Sequence, residues 1–448
     1  MNKLNKRLLF FSQGLLKGMN STNVPQSYIK SGSKIFLESL SCTRRDLDTQ
    51  KIYTYLRENN FTIVHDPSKA DYIIIMTCGT TKELATISLK SIEKFKKFNA
   101  EMIVAGCLPE THDKELRKIF TGKILSTKNL DTIDNFLPSV TKKFYEIPDA
   151  NTRWDSQNDQ TLRGVLRRIH AHVELVRRAD WFLLNAFLKV VGKNIVHVLP
   201  FNRLLPQLGQ YYISISRGCI YNCTYCVIKK GVGPLHSKPP EQCIEELKCG
   251  LQQGYHSFFL EADDSGPYGV DIDSSLPQLL RKMIDVPGNF TMKLSHTHPE
   301  WLIKYKQDFT DIFKQKKINN ILAPLQSGND RILKLMARPY PIKDVVSTLQ
   351  TFKKTDSELS IGIDLIVGFP SETEEDFQDT LRLFDKVHFD YGILIPYSDN
   401  EGTKAISIKP KIPKQVVDQR MKKALRYLRK QKYVAWRIRN STLIFYAK

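Results

Sequence analysis

Two blocks of alternating strand-like and helix-like segments constrain the fold of this 448-residue chain more than any other feature. In the first block, apolar segments at 34–42, 71–78 and 101–107 are separated by segments whose apolar residues have helical spacing. In the second, six apolar segments lie between residues 211 and 397, and helical stretches follow most of them. Such alternation predicts parallel sheets covered by helices. We therefore expect an N-terminal three-layer α/β domain followed by a partial (β/α)6 barrel.

Changes in composition divide the chain into five predicted parts. The first 33 residues contain five Lys/Arg and no acid, which is typical of either a basic tail or an organelle presequence. The predicted insertion contains an amphipathic segment that we expect to pack on a flanking domain, with a membrane surface as the lesser alternative. The predicted parts are a basic tail (1–33), the α/β domain (34–145), a helical insertion (146–208), the barrel (209–403) and a basic C-terminal helical extension (404–448).

Each of the three strand-like segments in the first block ends in a cysteine, namely Cys42, Cys78 and Cys107. The carboxyl ends of parallel strands share one edge of a sheet, and ligands of such sheets bind at that edge. A single cysteine in this position is usually a small buried hydrophobe. Three in succession favour a shared ligand site.

A second cysteine group, "RGCIYNCTYC", follows the first strand of the predicted barrel. Cys219, Cys223 and Cys226 have C-x3-C-x2-C spacing, whereas a structural zinc takes four ligands. No fourth ligand lies close by in the sequence, since His236 comes ten residues later. Three thiols on one loop can instead bind three irons of a [4Fe–4S] cluster and leave the fourth iron open.

This cysteine pattern resembles that of the radical S-adenosylmethionine (SAM) superfamily. The two cysteine groups in this order, together with "EADDSGPYGVDI", "PLQSGNDRILKLMAR", "IGIDLIVGFPSETEEDFQDTL" and "YSDNEGTKA", resemble the methylthiotransferase family over roughly residues 34–135 and 211–425. The resemblance implies that SAM completes the cluster held by Cys219, Cys223 and Cys226 and is cleaved to a 5′-deoxyadenosyl radical. It also implies that Cys42, Cys78 and Cys107 hold a second [4Fe–4S] cluster that carries the sulfur for transfer, so that all six cysteines are metal ligands.

The resemblance also implies a set of SAM contacts. Tyr225 is expected beside the adenine, and Gln326 and Ser327 of the "QSG" segment toward the SAM pocket, with loop packing and a plain turn as the respective alternatives. Asp364 lies in an apolar strand, where a buried acid favours a polar role in the site. Two other pairs, Asp263 with Asp264 and His296 with His298, also follow strands, but helix capping explains the acids equally well and we assign the histidines no role.

We expect an enzyme, a transferase that inserts a methylthio group at a C–H bond of a modified adenosine in tRNA. The net charge of +20 favours an anionic partner, and residues 404–448 alone hold 14 Lys/Arg and one acid. In that segment Tyr427, Tyr433 and Trp436 could stack on RNA bases. The alternatives are the same chemistry on a protein or peptide, which the apparent lack of the family's RNA-gripping TRAM domain supports, and a non-catalytic iron–sulfur protein that binds RNA or senses redox state.

Two further expectations concern partners and location. The radical chemistry implied by the resemblance needs an electron donor such as flavodoxin or ferredoxin. The eight cysteines are too few for a disulfide scaffold, and the close spacing of one group suits a reducing, cytoplasmic compartment. No apolar run is long and clean enough to span a bilayer.

Overall fold

The computed structural model describes residues 29, 32–137, 140–154, 209–338, 340–438 and 442–447. The amphipathic segment of the predicted insertion and most of the basic N-terminal tail lie outside the described residues. Within the described part of the chain, no helix is both long and apolar enough to cross a bilayer.

The N-terminal domain is a three-layer α/β domain around a parallel sheet, as the sequence predicts. The sheet has the strand order β2–β1–β3–β4–β5. Apolar side chains on its two faces form two separate cores, one packed on α1 and the other on α2 and α4. The strands are β1 (Lys34–Ser39), β2 (Thr62–Val64), β3 (Tyr72–Thr77), β4 (Glu101–Gly106) and β5 (Lys123–Ser126). The helices are α1 (Thr43–Glu58), α2 (Lys82–Phe95), α3 (Leu108–Thr111) and α4 (Asp113–Ile119).

The second domain is an open barrel whose six parallel strands follow one another in sequence order, which confirms the predicted (β/α)6 architecture. The sheet has the order β14–β15–β13–β12–β11–β10–β9–β6, in which β14 and β15 are antiparallel additions. The sheet strands are β6 (Tyr211–Ser214), β9 (Ser257–Glu261), β10 (Thr291–His296), β11 (Ile318–Gln326), β12 (Ser360–Val367), β13 (Tyr391–Pro396), β14 (Val434–Arg437) and β15 (Leu443–Tyr446). A separate pair is formed by β7 (Ser216–Arg217) and β8 (His236–Ser237).

Nine helices are described in this domain, and most of them cover one face of the sheet. They are α5 (Ile228–Val232), α6 (Pro240–Gln252), α7 (Leu276–Ile284), α8 (Pro299–Lys304), α9 (Lys306–Phe313), α10 (Asp330–Leu335), α11 (Ile342–Thr355), α12 (Glu374–Lys386) and α13 (Lys414–Lys430).

The two faces of the barrel sheet have different surroundings because side chains alternate along each strand. Ile361, Ile363 and Phe445 lie on the face that packs against helices, and all three are completely buried. Asp364 and Tyr391 alternate with them and lie on the opposite face. Helices form the outer ring of such barrels. Asp364 and Tyr391 therefore face the barrel interior.

The C-terminal segment differs from the predicted basic helix. Helix α13 ends at Lys430, Lys432 adopts a left-handed conformation with φ of 66°, and the chain then forms the β14–β15 hairpin. The segment "YVAWR" alternates buried Tyr433 and Ala435 with exposed Val434 and Trp436, which is strand periodicity that its basic composition obscured. The predicted extension is thus part of the barrel.

The start of the predicted insertion joins the two domains. Asn151 accepts a hydrogen bond from the backbone of Tyr212 at 2.8 Å through its carbonyl oxygen. Asp149 forms ion pairs with Lys51 of α1 at 3.0 Å and with Lys238 of the barrel at 2.9 Å. Residues 149–154 therefore connect α1 to the first barrel strand.

Candidate functional site

The first cysteine group lies at the carboxyl edge of the N-terminal sheet, as the sequence predicts. Cys78 directly follows β3 and Cys107 directly follows β4, while Cys42 precedes α1 beyond the end of β1. These three strands are neighbours in the sheet. Burial raises the pKa of Cys78 and raises that of Cys107 to about 11, and the charge of Cys42 raises both further. Because the three strands are neighbours, the three thiols lie together at one edge of the sheet.

The second cysteine group lies on the loop between β7 and α5. The backbone N–H groups of Tyr221 and Ile228 donate to the sulfurs of Cys219 and Cys226, each at 3.4 Å. Burial raises the pKa of Cys219 to about 12 and that of Cys226 to about 11, and the charge of Cys223 raises both. Backbone donors aimed at sulfur are one of the features that tune iron–sulfur clusters.

A buried cation, Arg338, lies beside the second cysteine group, and the sequence analysis missed it. Its Nη1 is 3.6 Å from the sulfur of Cys223, and its other nitrogens donate to the Pro324 carbonyl at 2.6 Å and to the Tyr340 hydroxyl at 3.1 Å. Among the described residues no carboxylate pairs with it. Arg338 is the last residue of the quoted "PLQSGNDRILKLMAR" segment, although nothing in the sequence marked it as buried.

Two polar groups at the ends of β9 and β10 adjoin this loop. Asp264 is buried, and its Oδ1 accepts hydrogen bonds from the backbone N–H groups of Gly266 at 3.0 Å and His298 at 3.1 Å. Burial raises the pKa of Asp264 to about 6. The His298 ring stacks on Tyr221 at 3.8 Å, and burial lowers its pKa to about 2, so the ring is neutral. Asp264 therefore stabilises the turn that follows β9. The sequence alone had left the role of this residue open.

Three of the predicted SAM contacts lie in different parts of the barrel domain, with Asp364 on β12, Tyr225 on the cysteine loop and Gln326 at the end of β11. The Oδ2 of Asp364 is 3.5 Å from His296 Nε2, across neighbouring parts of the barrel interior. Tyr225 packs edge-on against Phe369 at 6.5 Å, next to a small apolar cluster. Gln326 ends β11 with φ of 69°, an uncommon conformation for a residue with a side chain.

Ser327, the fourth predicted SAM contact, already has partners within the fold. Its hydroxyl accepts from the backbone N–H of Asn329 at 3.2 Å and lies 3.4 Å from the Thr380 hydroxyl. A Cβ on Gly328 would lie 2.6 Å from the Asp379 carbonyl oxygen, so this glycine permits close approach of α12. The structure gives Ser327 a role in packing, and its contact with SAM stays a prediction.

The two cysteine groups are joined through a buried ion-pair network. Arg44, two residues after Cys42, reaches across the domain boundary to Glu261 at 3.1 Å and to Asp263 at 3.0 Å. Asp263 in turn accepts a hydrogen bond from the backbone N–H of Gly218 at 2.8 Å. Because Gly218 directly precedes Cys219, this chain of contacts fixes one cysteine group relative to the other.

A second contact joins the groups on another side. A Cβ on Gly231 of α5 would lie 3.3 Å from the Cβ of Cys107, so the helix that follows Cys226 presses on the N-terminal group. Thr127, after β5, donates a hydrogen bond to the carbonyl of Gly231. The two cysteine groups therefore face one another across the domain junction.

A polar cavity of about 150 Å³ lies at the same junction, but none of the six cysteines lines it. Its walls carry the ion-paired Lys238 and Arg217 and the unbonded hydroxyl of Ser216. The cysteine groups, rather than this cavity, carry the soft-ligand chemistry of the site.

The residues present fit two iron–sulfur clusters. Within the described residues, no three His, Cys, Asp or Glu side chains surround one point closely enough to hold a single metal ion. The thiolates of a cluster bind different irons and are spaced more widely. All eight cysteines are free, each group has three neighbouring thiols, and one group adjoins an unpaired buried cation.

Comparison with known proteins finds a matching family for part of each domain. Residues 213–384 match the radical SAM superfamily, and residues 34–125 match uncharacterized protein family UPF0004. The class is therefore that of the radical SAM proteins, here with a UPF0004 domain ahead of the barrel.

Similar proteins narrow the class further. A probable threonylcarbamoyladenosine tRNA methylthiotransferase of Pyrococcus abyssi is 27% identical over 86% of this chain and 82% of its own. The ribosomal protein uS12 methylthiotransferase RimO of Carboxydothermus hydrogenoformans is 29% identical over 88% of this chain and 81% of its own. Over most of its length the chain is thus similar to radical SAM methylthiotransferases, the family that the sequence motifs resemble.

Solved structures support the fold. The radical SAM methyltransferase TsrM from Kitasatospora setae, solved with cobalamin and a [4Fe–4S] cluster bound, superposes with a TM-score of 0.54 at 13% identity, over 82% of this chain and 75% of that one. The cobalamin-dependent SAM radical enzyme OxsB gives a TM-score of 0.51 at 11% identity, over 89% of this chain and 56% of that one. Both likenesses concern the fold alone.

Proposed function

We propose that the protein is a transferase that inserts a methylthio group at a C–H bond of a modified adenosine in tRNA. The observation that carries this proposal is the pair of cysteine groups facing each other across one domain junction, linked through Arg44 and Asp263. A reaction that combines a radical with a sulfur donor needs both centres near the same substrate atom.

Cys219, Cys223 and Cys226 would hold the cluster that binds SAM, and Cys42, Cys78 and Cys107 would hold the second cluster. Bound there, the two clusters and SAM supply radical cleavage of a C–H bond and the sulfur that replaces the hydrogen. The remaining residues orient the reactants and compensate charge.

The charged residues of the barrel support this assignment. Arg338 holds a positive charge 3.6 Å from the sulfur of Cys223 and forms no ion pair among the described residues, so a negatively charged cluster would add to the more distant charge of Asp264 in stabilising the buried guanidinium. Asp364 and His296, paired at 3.5 Å on the interior face, would bind polar groups of SAM or substrate. Tyr225 and Gln326 would contact SAM from the cysteine loop and the end of β11.

The substrate class is argued from charge and from relatives. The net charge of +20 suits a polyanion, and the similar proteins include tRNA methylthiotransferases. The second candidate substrate is a ribosomal protein, because another relative, RimO, is named for one. A non-catalytic role is disfavoured, since both groups of three thiols are free.

Two conditions belong to the proposal. The enzyme receives electrons from a small donor such as flavodoxin or ferredoxin, since reductive cleavage of SAM consumes an electron. It works in the cytoplasm, where a reducing environment keeps its eight free thiols available.

The test is a substrate comparison with the reconstituted enzyme. Full-length protein is incubated with SAM, a reductant, a sulfur source and either a tRNA carrying threonylcarbamoyladenosine or ribosomal protein uS12. Mass spectrometry of nucleosides and of peptides then detects a methylthio group in place of hydrogen. We expect the product on tRNA. Product on the ribosomal protein alone would contradict the tRNA assignment and leave the reaction class intact.

A further inference from the structure

We propose that an unpaired nucleotide of the tRNA substrate stacks on a ladder of three aromatic rings at the open edge of the barrel sheet. The aromatic ladder consists of Tyr391 on β13, Tyr446 on β15 and Trp436 on β14. This inference rests on the proposed function and adds the surface that holds the RNA.

The three rings form a continuous stack across three strands. The ring centroids of Tyr391 and Tyr446 are 6.5 Å apart, and those of Tyr446 and Trp436 are 5.7 Å apart, with 24° between the planes in both pairs. Tyr391 is fixed further by its hydroxyl, which donates to Asn320 at 2.9 Å. A nearly parallel, immobilised stack is the arrangement on which proteins bind unstacked bases.

The ladder lies on the same face of the sheet as the candidate active site. Asp364 pairs in register with Ile393 of β13, and Ile393 pairs with Ile444 of β15. Tyr391 and Tyr446, two residues from Ile393 and Ile444, share their face because side chains alternate along strands. Tyr391 and Tyr446 therefore lie about 7 Å from the level of Asp364, toward the amino ends of the parallel strands, whereas Trp436 pairs with Ile444 and lies level with Asp364 on β14.

The outer end of the ladder is exposed. Trp436 and Tyr446 each retain 38% of their accessible surface, and Val434 and Ile438 beside them retain 46% and 42%. Soluble proteins seldom leave several large apolar side chains together in water unless the surface binds something. Among the described strands β14 is also the edge of the sheet, so none of them lies beyond Trp436.

Two exposed cations, Lys430 and Lys432, lie in the chain just before β14, and neither pairs with a carboxylate in the described part of the chain. Aromatic rings beside unpaired cations match a nucleotide, which has a base to stack and a phosphate to neutralise. A peptide could pair with the β14 edge, but that mode uses backbone groups and leaves these cations without a purpose.

The structure also explains why other aromatic side chains in the same segment are poorly placed to stack on RNA bases. The sequence predicted base stacking by Tyr427, Tyr433 and Trp436. Tyr433 is buried, with its hydroxyl accepting from the backbone of Phe389 at 3.2 Å, and the Tyr427 hydroxyl donates to Asp385 at 2.6 Å. The stacking role predicted for Tyr433 is wrong, and Trp436 alone of the three keeps an open ring face.

The experiment measures binding of a fluorescein-labelled tRNA transcript to full-length protein by anisotropy over a range of salt concentrations. We expect Trp436→Ala to weaken binding on the order of tenfold at every salt concentration, because the loss of base stacking changes affinity without changing the number of phosphate contacts. Combined Lys430→Gln and Lys432→Gln substitutions should instead flatten the log–log salt dependence by about 1.5 units.

Matched variants control for folding and for general exposure. Tyr145→Ala removes a ring of the N-terminal domain that is 77% exposed, and it should leave tRNA binding unchanged. Trp436→Phe keeps a stacking face and should retain most of the affinity. Quenching of wild-type tryptophan fluorescence by tRNA, absent in Trp436→Phe, reports the contact even where the alanine variant folds poorly.

Equal tRNA affinities for Trp436→Ala and Tyr145→Ala would overturn the proposal. So would a loss of affinity for the ribosomal protein instead of tRNA on removing Trp436. Methylthiolation by the wild-type enzyme is measured in parallel. Product on tRNA together with unaltered tRNA binding by Trp436→Ala would contradict the role of the aromatic ladder and support the proposed function. Absence of any tRNA product would contradict the proposed function itself.

Discussion

At the scale of single residues, the six cysteines and Arg338 define what the site can hold. Burial raises the pKa values of Cys107, Cys219 and Cys226 to about 11 or 12, so metal binding at these three thiols must displace protons at neutral pH. Arg338 adds a positive charge that forms no ion pair among the described residues, and the charge of Asp264 acts on it only from a distance. The chemistry of each group thus depends on a few atoms beside it.

The two cysteine groups should differ in what their loss abolishes. Cys223→Ala should stop cleavage of SAM to 5′-deoxyadenosine and methionine, because the SAM-binding cluster loses a ligand. Cys78→Ala should stop methylthio transfer and leave part of the reductive cleavage. Iron analysis should fall from about eight to about four per chain on replacing all three cysteines of either group by alanine. Normal sulfur transfer by Cys78→Ala would reduce that group to packing residues.

Arg338 should tune the cluster held by Cys223. Replacing Arg338 by Gln removes a positive charge 3.6 Å from the sulfur, so the reduced, more negative cluster loses stabilisation and its midpoint potential should become more negative by tens of millivolts. The control is Arg331→Gln, which removes an arginine of α10 that pairs with Asp376 of α12. A potentiometric titration followed by EPR measures both, and equal potentials would argue against this role.

At the scale of secondary structure, hydrophobic periodicity predicted nearly every parallel strand. The elements that it missed are short or lie among charged residues. The edge strand β2 is only three residues long, too short for a pattern to develop. Strands β14 and β15 were hidden because the charges around them resemble a solvated helix, although alternate residues are buried. Arg338 was missed because burial of a long polar side chain depends on neighbours distant in sequence.

Helix α13 should be essential for the barrel rather than only for RNA binding. Its face of Val417, Met421 and Leu428 packs into the main apolar core, and Arg420 pairs with buried Glu372 at 2.7 Å. Truncation after Ile412 would remove this face together with β14 and β15. We expect the truncated protein to fail to fold.

A point substitution tests the same packing more gently. Arg420→Met leaves the Glu372 carboxylate buried and unpaired and should lower the free energy of unfolding by about 3 kcal/mol. Lys423→Met on the exposed side of the helix should lower it by less than about 1 kcal/mol. Urea denaturation followed by circular dichroism compares them, and equal losses would mean that α13 docks without the Arg420–Glu372 pair.

At the scale of the whole molecule, the relative position of the two domains is part of the active site. Arg44→Gln should remove the contacts with Glu261 and Asp263, which hold the N-terminal cysteines against the barrel loop. We expect unchanged iron content and retained SAM cleavage, but severalfold less methylthiolated product for each 5′-deoxyadenosine formed. Arg44→Lys should recover part of this coupling.

The control for that experiment is Lys123→Gln, which breaks an ion pair with Glu101 inside the N-terminal domain. It should leave the ratio of product to 5′-deoxyadenosine at the wild-type value. If Arg44→Gln also leaves that ratio unchanged, the domains keep their spacing without the arginine.

The insertion of β15 between β13 and β14 has a consequence for biosynthesis. Strand β13 borders the six parallel strands, and its partner β15 is translated only after helix α13 and β14. While the ribosome is still adding those residues, the nascent barrel exposes an unsatisfied row of backbone N–H and C=O groups along β13. Such an edge invites pairing with other chains, so this protein should depend on chaperones in the interval before β15 leaves the exit tunnel.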